Sequence, residues 1–230
     1  MTDPNTPIVS HGKQLERDHS TGSGPGSDDL FPMGNKFLLF LDFDDVLCLN
    51  PEGGYGGYDV LEALKEVQYR RKSMDDFPEI WATVFDEFAR TFLEEIHNEF
   101  RPTFVLSTSW ANFMNRAAMV TILRRAGLGF VADNLHEDWE TEKGPRFLRR
   151  DEIRHWLIKH PECKHHWVVL DDTESGTGLQ PRYMSKSEAP FVVLCDVNVG
   201  LTADKYAELR RAFLQRELRF RDQDFSAHVI

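Results

Sequence analysis

Short apolar segments that end in polar side chains divide this chain into predicted strands. They cover residues 36–41, 104–106, 167–170 and 191–195. Unbroken apolar segments of this length are typical of strands in a sheet that is buried on both faces. Helical patterns lie between them, and strands that alternate with helices indicate a parallel, doubly wound sheet. The pattern therefore predicts an α/β fold of three layers, with helices on both faces of the sheet.

The longest predicted helix covers residues 77–100, where apolar side chains recur at steps of three and four. Asp76 is suited to cap its N-terminus, and Pro78 fits its first turn. We expect the apolar stripe of this helix to pack against the sheet rather than to form a binding groove. The stripe consists of Phe77, Ile80, Trp81, Val84, Phe85, Phe88, Phe92, Ile96 and Phe100.

Three shorter helices are predicted at residues 113–126, 151–160 and 203–217. Gly127 can end the first of them, and Pro161 stops the second. Residues 1–33 contain many Gly, Ser, Pro and Asp residues and too few apolar ones to offset the entropy of ordering. We therefore predict a disordered N-terminal tail, followed by one domain at 34–230.

The composition limits the class of protein. A chain of 230 residues with 41% hydrophobic residues can form one α/β domain with a real core. Its net charge of −11 argues against a broad basic face for duplex nucleic acid, although a local basic groove is compatible with it. No apolar run approaches the length of a membrane span, and no secretion signal is visible. We expect a cytoplasmic protein without membrane insertion.

Cysteine and histidine residues give no indication of zinc. The three cysteines, Cys48, Cys163 and Cys195, are scattered and lack metal-binding spacing, so reduced thiols are expected. His165 and His166 are adjacent, and neighbouring residues of a strand point to opposite faces. The sequence therefore predicts no zinc site.

Polar side chains follow three of the predicted strands. Asp42, Asp44 and Asp45 follow the first strand, Ser107 follows the second, and the pair at 171–172 follows the third. The carboxyl ends of parallel strands meet at one edge of a sheet, where α/β proteins bind their ligands. Because clustered carboxylates repel one another, this edge suits a divalent cation and a nucleophile better than a structural role.

These segments resemble the four motifs of the haloacid dehalogenase-like (HAD) superfamily of phosphohydrolases. The motifs are hhhhDxD, hhhh[ST], a basic residue and hhhhDD, and they read FLLFLDFD, FVLS, Arg150 or a near neighbour, and VVLDD. The resemblance spans roughly residues 36–215 and implies a Rossmann-like fold. It is nearest to polynucleotide phosphatases and to the HAD domain of Swiss-army-knife RNA repair proteins, because STSW continues the second motif.

The resemblance implies a mechanism. Asp42 would attack phosphorus and form an aspartyl-phosphate, while Asp44 would act first as the acid and then as the base. Mg²⁺ would be held by Asp42, the backbone carbonyl of Asp44, and Asp171 or Asp172, since this hard cation prefers oxygen ligands. Asp45 stands where the superfamily usually has glycine, which leaves the two key carboxylates intact.

The residues that would bind the phosphate are also implied by the resemblance. Ser107, with Thr108 beside it, would donate a hydrogen bond to a non-bridging phosphate oxygen. Arg150 would be the charged clamp at the start of its helix. An arginine here replaces the usual lysine, so Lys143 and Arg149 remain rival candidates for this clamp.

The superfamily places a flap where this chain has a minimal insertion at residues 48–75. Its Gly-rich part, residues 50–58, could instead cradle a phosphate, but no GxxxxGK[ST] pattern follows and we expect no helix directly after it. Without a large cap domain the active site should be open, which favours a large substrate such as a single-stranded nucleic-acid end. Candidates for contacts beyond the phosphate are Tyr55, Tyr58, Arg70, Arg71, Lys72 and Trp110.

Two alternatives to this prediction remain. One is a phosphatase for a small metabolite, a nucleotide or a phosphoprotein. The other is a non-catalytic interaction module that keeps the HAD fold. The retention of carboxylates at two strand ends and a hydroxyl at the third argues against the module. The sequence does not indicate an oligomeric state.

Overall fold

The computed structural model describes residues 37–49, 55–70, 72–142, 144 and 147–227, with only the backbone described for Arg70 and for residues 220–227. The predicted tail at 1–33 lies outside these residues, as do Lys143, Arg71 and most of the Gly-rich segment. The domain boundaries of the sequence analysis therefore stay predictions. All of the described residues belong to one compact unit, residues 34–230.

Five parallel strands form a single sheet, which confirms the predicted fold class. The strands are β1 (Leu38–Leu41), β2 (Thr103–Leu106), β3 (Leu135–Glu140), β4 (Trp167–Asp172) and β5 (Val192–Cys195). Their order across the sheet is β3-β2-β1-β4-β5, so β1 is central. Every residue of β1 and of β4 is buried, as expected for strands that are covered on both faces.

Helices are distributed along the chain between the strands. They are α1 (Gly57–Arg70), α2 (Pro78–Thr83), α3 (Glu87–Phe100), α4 (Arg116–Arg125), α5 (Gly129–Asp133), α6 (Arg149–Lys159) and α7 (Ala203–Ala227). The three shorter predicted helices are confirmed as α4, α6 and α7, with changed ends. Gly127 adopts a φ of 84° just after α4, a conformation that glycine tolerates best.

Aromatic contacts on the two sides of β1 show the three layers. Phe40 packs edge-on against Trp156 of α6, with ring centres 5.4 Å apart. Phe37 precedes β1 and points the other way, where it contacts Phe100 of α3 and Phe213 of α7. Because alternate residues of a strand face opposite sides, α6 covers one face of the sheet while α3 and α7 cover the other.

The prediction of one helix over residues 77–100 is wrong. The chain leaves the helical path after α2, and Asp86 then caps α3 by accepting a hydrogen bond from the Ala89 amide at 2.8 Å. The Asp86 amide itself donates to the Leu47 carbonyl at 2.7 Å, so the break ties this segment to the turn after β1. Asp76 belongs to a preceding 3₁₀ turn that Ser73 caps.

The apolar stripe is buried only in part. Ile80, Trp81 and Ile96 are among the residues that pack in the core, whereas Phe88 is 72% exposed. The break between the two helices changes the rotation of the chain, so a single 3.6-residue period does not carry one face through the whole segment. Phe88 at the start of α3 therefore points away from the sheet.

Three elements were not predicted. Strand β3 has only two buried residues, Leu135 and Trp139, because it lies at the edge of the sheet. Helix α5 is only five residues long. Helix α1 begins at Gly57, inside the Gly-rich segment, so the expectation that no helix follows this segment directly is wrong.

Asp86 provides a test of the break between α2 and α3. We expect Asp86→Ala to lower the free energy of unfolding by about 1 kcal/mol, because the first turn of α3 loses its side-chain cap. Asp86→Asn is the matched control, since its amide oxygen can accept the same hydrogen bond. Urea unfolding followed by circular dichroism measures both variants, and an equal loss for Asn and Ala would contradict the capping role.

Candidate active site

Two adjacent strands bring three carboxylates together. β1 and β4 pair in register, with Leu41 opposite Leu170, and the Asp42 amide donates to the Leu170 carbonyl at 3.0 Å. This pairing places Asp42 beside Asp171 and Asp172, the last two residues of β4. All three residues are buried, and one oxygen from each lies within 4.8 Å of the others. The predicted meeting of strand ends therefore occurs.

Arg149 supplies positive charge to this cluster from the first position of α6. Its Nε lies 2.9 Å from Asp171 Oδ2, and its Nη2 lies 3.6 Å from Asp42 Oδ1. The first contact is a close ion pair without hydrogen-bond alignment. The Arg149 Nη1 donates to Glu152 Oε2 at 2.9 Å, and its amide donates to Thr177 Oγ1 at 3.0 Å. The guanidinium is therefore held from several sides.

The other candidates for the phosphate clamp differ in position. The Arg150 guanidinium turns away from the carboxylates, because its Nη1 donates to the Tyr183 carbonyl at 3.1 Å and its Nη2 lies 3.5 Å from Asp151. Lys143 lies outside the described residues. The structure thus brings Arg149, one residue before the first choice of the sequence analysis, to the carboxylates.

Ser175 is a site residue that the sequence analysis missed. Its hydroxyl lies 2.9 Å from Asp42 Oδ2 and 3.1 Å from Asp171 Oδ1, and it also contacts Asp172. Its amide donates to Asp172 Oδ1 at 2.9 Å. A polar residue in the turn just after the paired aspartates was the available signal. Glu152 was also missed, although it lies one helical turn after Arg149.

Asp44 lies apart from the other carboxylates. It accepts hydrogen bonds from Ser109 Oγ at 3.0 Å and from Trp110 Nε1, which lies 3.0 and 3.2 Å from the two Asp44 oxygens. The indole is 1% exposed and stacks on Phe85 at 5.7 Å, so a role in stacking on a nucleic-acid base is excluded in this conformation. A Cβ added at Gly57 would lie 2.3 Å from Trp110 Nε1, so the start of α1 rests on the same indole.

Asp45, which stands where the superfamily usually has glycine, adopts a backbone conformation that favours glycine. Its φ is 57°, in the left-handed region that glycine adopts most easily. Aspartate tolerates this region better than most residues. Its Oδ1 accepts a hydrogen bond from the Asn198 amide at 2.7 Å. Asp45 therefore fits this turn and adds a side-chain contact that glycine would lack.

Ser107 and Thr108 follow β2 and have different environments. Ser107 is fully buried, and its Oγ has no hydrogen-bond partner among the described residues. Thr108 Oγ1 accepts a hydrogen bond from the Trp110 amide at 3.4 Å and begins a 3₁₀ turn. Asp42 Oδ1 likewise accepts no hydrogen bond within the described part of the chain. Buried polar atoms of this kind are rare, and an ordered water molecule, an ion or a ligand is expected beside them.

A family model for the HAD domain in Swiss Army Knife RNA repair proteins matches residues 38–206. The chain belongs to this family. The match covers all five strands and the site residues described above, so the family indicates a phosphohydrolase that acts on a phosphorylated substrate. No curated protein and no solved structure matches the chain.

The remaining candidate contacts of this HAD domain lie in and around α1. Tyr58 is 73% exposed and Tyr55 is partly buried. Lys72 lies 3.3 Å from Glu66, so it does not stand as an isolated positive charge. Within the part of the chain that the structure describes, none of the helices combines the length and apolar character of a membrane span.

Burial of the carboxylate cluster in the HAD domain disfavours the charged form of its aspartates. Burial is the main cause that raises the pKa of Asp42 well above its usual range, and Asp171 adds to it while Arg149 opposes it. Burial likewise raises the pKa of Asp171 to about 6 despite the opposing charge of Arg149. Burial works against the charge of Arg149, yet Asp171, Asp42 and Glu152 together raise its pKa. One arginine therefore does not fully compensate the buried carboxylates.

This arrangement fits a divalent cation. Asp42, Asp171 and Asp172 offer oxygen ligands, which hard cations such as Mg²⁺ and Ca²⁺ prefer. A cation would also oppose the burial and the like-charge repulsion that raise the pKa values of Asp42 and Asp171. Asp44 does not contribute a side-chain oxygen to this cluster.

The raised pKa of Asp171 predicts an unusual pH dependence of stability. In the folded protein it is about 6, whereas the ordinary value is 3.8, so folding favours the protonated form. The resulting stabilisation is complete below the ordinary value and is lost as the pH rises through about 6, with an upper limit of about 3 kcal/mol. We therefore expect a higher melting temperature at pH 5.5 than at pH 7.5 when no divalent cation is present.

Two comparisons make this measurement specific. Adding Mg²⁺ at pH 7.5 should raise the melting temperature and reduce the difference between the two pH values, because the cation favours the ionised carboxylates. Asp171→Asn should reduce the pH dependence, because the amide does not titrate, while Asp42 still contributes to it. The same pH dependence in Asp171→Asn as in the unmodified protein would contradict the assignment to this carboxylate.

Proposed function

We propose that this HAD domain is a Mg²⁺-dependent phosphomonoesterase that forms an aspartyl-phosphate on Asp42. The observation that carries the proposal is the environment of Asp42. Its buried carboxylate is adjacent to the Arg149 guanidinium and shares a cluster with two further aspartates. At the tip of the neighbouring strand, Ser107 offers a buried hydroxyl without a partner among the described residues. A phosphoryl oxygen would accept a hydrogen bond from Ser107, and the phosphorus atom would lie in front of the Asp42 carboxylate.

Asp42 and Asp44 divide the chemistry between them. An oxygen of Asp42 attacks phosphorus, and the bond between phosphorus and the ester oxygen breaks. Protonated Asp44 gives its proton to the departing oxygen, which leaves as an alcohol. Ionised Asp44 then takes a proton from water as the water oxygen attacks the phosphorus of the aspartyl-phosphate. This second step releases inorganic phosphate and restores the Asp42 carboxylate.

Other residues orient the phosphoryl group and oppose its charge. Arg149 would donate to the non-bridging oxygens with a guanidinium that Glu152 already orients. Ser107 would donate its hydroxyl proton to the same group. Asp42, Asp171 and Asp172 would hold Mg²⁺, which when bound neutralises negative charge between substrate and nucleophile.

A phosphorylated nucleic-acid end is the proposed substrate. Support comes from the family description, which refers to RNA repair, and from the small size of the described insertion beside the site. That insertion consists of α1 and one 3₁₀ turn. Phosphate release from 3′- and 5′-phosphorylated oligonucleotides, nucleotides and sugar phosphates tests this choice. Preference for a sugar phosphate would favour the small-metabolite phosphatase instead.

Asp42→Asn tests the nucleophile. The substitution keeps size and removes the charged attacking oxygen, so hydrolysis of an aryl phosphate should fall by about a thousandfold or more. Asp45→Asn is the matched control, because asparagine also tolerates a φ of 57° and can accept the same hydrogen bond from Asn198. We expect Asp45→Asn to keep most activity. Retained hydrolysis in Asp42→Asn would refute the covalent mechanism, whatever the effect of Asp45→Asn.

Arg149 and Arg150 give a direct test of the phosphate clamp. Arg149→Ala should lower kcat/KM for an aryl phosphate by about a hundredfold or more, because a charged donor to the phosphoryl group is lost. Arg150→Ala should have a small effect on this substrate, since that side chain is bound to the Tyr183 carbonyl. Arg149→Lys, which keeps the charge, should recover part of the activity and guards against misfolding. If Arg150→Ala lowered kcat/KM more than Arg149→Ala did, Arg150 would be the phosphate clamp instead.

A further inference from the structure

A groove with an excess of basic side chains lies near the amino-terminal end of β4, whereas the candidate active site lies at its carboxyl-terminal end. We call it the basic groove. It has a volume of about 760 Å³, and the charged residues that line it are Arg154, Lys164, Arg216, Arg219 and Glu188. Its lining thus carries four cations and one carboxylate, in a protein whose net charge is −11. Such a local excess indicates an anionic ligand.

Arg216 is the most unusual member of the basic groove. It is buried, and its Nε donates to the Trp167 carbonyl at 2.8 Å. Its guanidinium lies 3.3 Å from the centre of the Phe191 ring, and no carboxylate lies within ion-pair distance among the described residues. Burial, together with Arg219, lowers the pKa of Arg216 to about 9. Glu188 opposes this lowering only in part, and a bound anion would offset more of the cost of the buried charge.

The basic groove is far from the proposed chemistry but lies on the same elements. Trp167 is the first residue of β4 and Asp172 is the last, so the groove and the carboxylates are separated by about 16 Å along this strand. Helix α6 spans the same distance. It begins at Arg149 in the active site and presents Arg154 and Ile158 to the groove.

An exposed segment lies between the start of α6 and the basic groove. Residues 181–188 run beside α6, since the Tyr183 carbonyl contacts Arg150 and Glu188 lies 3.6 Å from Arg154. On this segment Tyr183 is 50% exposed, and the Arg182 guanidinium lies 4.7 Å from the centre of its ring. An open aromatic ring beside a cation is a surface on which a nucleic-acid base can stack.

We propose that the 181–188 segment and the basic groove bind the backbone of a single-stranded polynucleotide whose phosphorylated end occupies the active site. This inference rests on the proposed function. A phosphate-bearing chain fits better than a small anion, because the four cations come from three separate parts of the chain, α6, the segment before β4, and α7. It fits better than an acidic peptide, because Tyr183 offers a stacking surface that carboxylates do not use.

A binding measurement tests the groove without catalysis. The probe is a fluorescein-labelled 15-nucleotide oligouridylate without terminal phosphates, followed by fluorescence anisotropy at several salt concentrations. The triple variant Arg154→Ala/Lys164→Ala/Arg219→Ala should weaken binding by about tenfold or more and reduce the slope of log K against log salt by about 2. The control, Lys65→Ala/Arg124→Ala/Arg210→Ala, removes the same charge from exposed positions elsewhere and should bind like the unmodified protein.

A catalytic ratio then relates the groove to the substrate. The ratio of kcat/KM for a phosphorylated 15-nucleotide strand to that for a phosphorylated dinucleotide should exceed one and should fall in the groove variant but not in the control. Equal probe binding by the two triple variants would overturn the proposal. It would also be overturned if a poly-glutamate peptide displaced the probe as well as unlabelled oligouridylate did, or if the ratio did not change. Hydrolysis of an aryl phosphate by the unmodified protein is measured in parallel. If this activity is present while the groove tests fail, the groove proposal is wrong and the proposed phosphatase function stands.

Discussion

Arg149 holds two buried carboxylates, Asp42 and Asp171, in a place where carboxylates alone would lose their charge. The ion pairs compensate only part of the cost of burial, since the pKa values of both aspartates remain raised. The rest of the site follows from this imbalance. Ser175 adds a hydroxyl to the cluster, and a divalent cation would complete it. Because the buried carboxylates exceed the positive charge of Arg149, the site is suited to bind a divalent cation, and the bound cation would in turn allow an anionic phosphoryl group to approach.

The second carboxylate of the DxD pattern is governed by a different interaction. The Asp44 carboxylate lies outside the cluster, where it accepts hydrogen bonds from the Trp110 indole and the Ser109 hydroxyl. This separation gives the two aspartates different environments on one short stretch of chain. Asp42 is buried beside a guanidinium, whereas Asp44 accepts hydrogen bonds from polar donors near the start of α1. Separate environments allow two like groups to take two roles.

Electrostatics also divides the surface of this acidic domain. The cations of the basic groove gather where α6, α7 and the chain before β4 and β5 meet, although the protein as a whole carries a net negative charge. An acidic protein repels nucleic acid at long range, so a local basic face limits contact to one orientation. In the proposed function this orientation would direct a strand along α6 towards Asp42.

The sequence by itself determined the sheet and the residues at its edge. The apolar segments before Asp42, Ser107 and Asp171 were sufficient for β1, β2 and β4, because central parallel strands are buried on both faces. The edge strand β3 and helix α1 were missed, since partly exposed elements carry weak periodic signals. The order of the motifs indicated the family, but not which basic side chain faces the carboxylates.

Only the tertiary structure decided the contacts that set the chemistry. Arg149 and Arg150 are neighbours of the same type, and the rotation of α6 against β4 selects which one meets Asp171. The role of Trp110 likewise depends on the path of the chain after β2, which places its indole between Phe85 and Asp44. Sequence spacing defines which residues share a strand or a helix face. Contacts between elements depend on how those elements pack, and that packing is a property of the whole core.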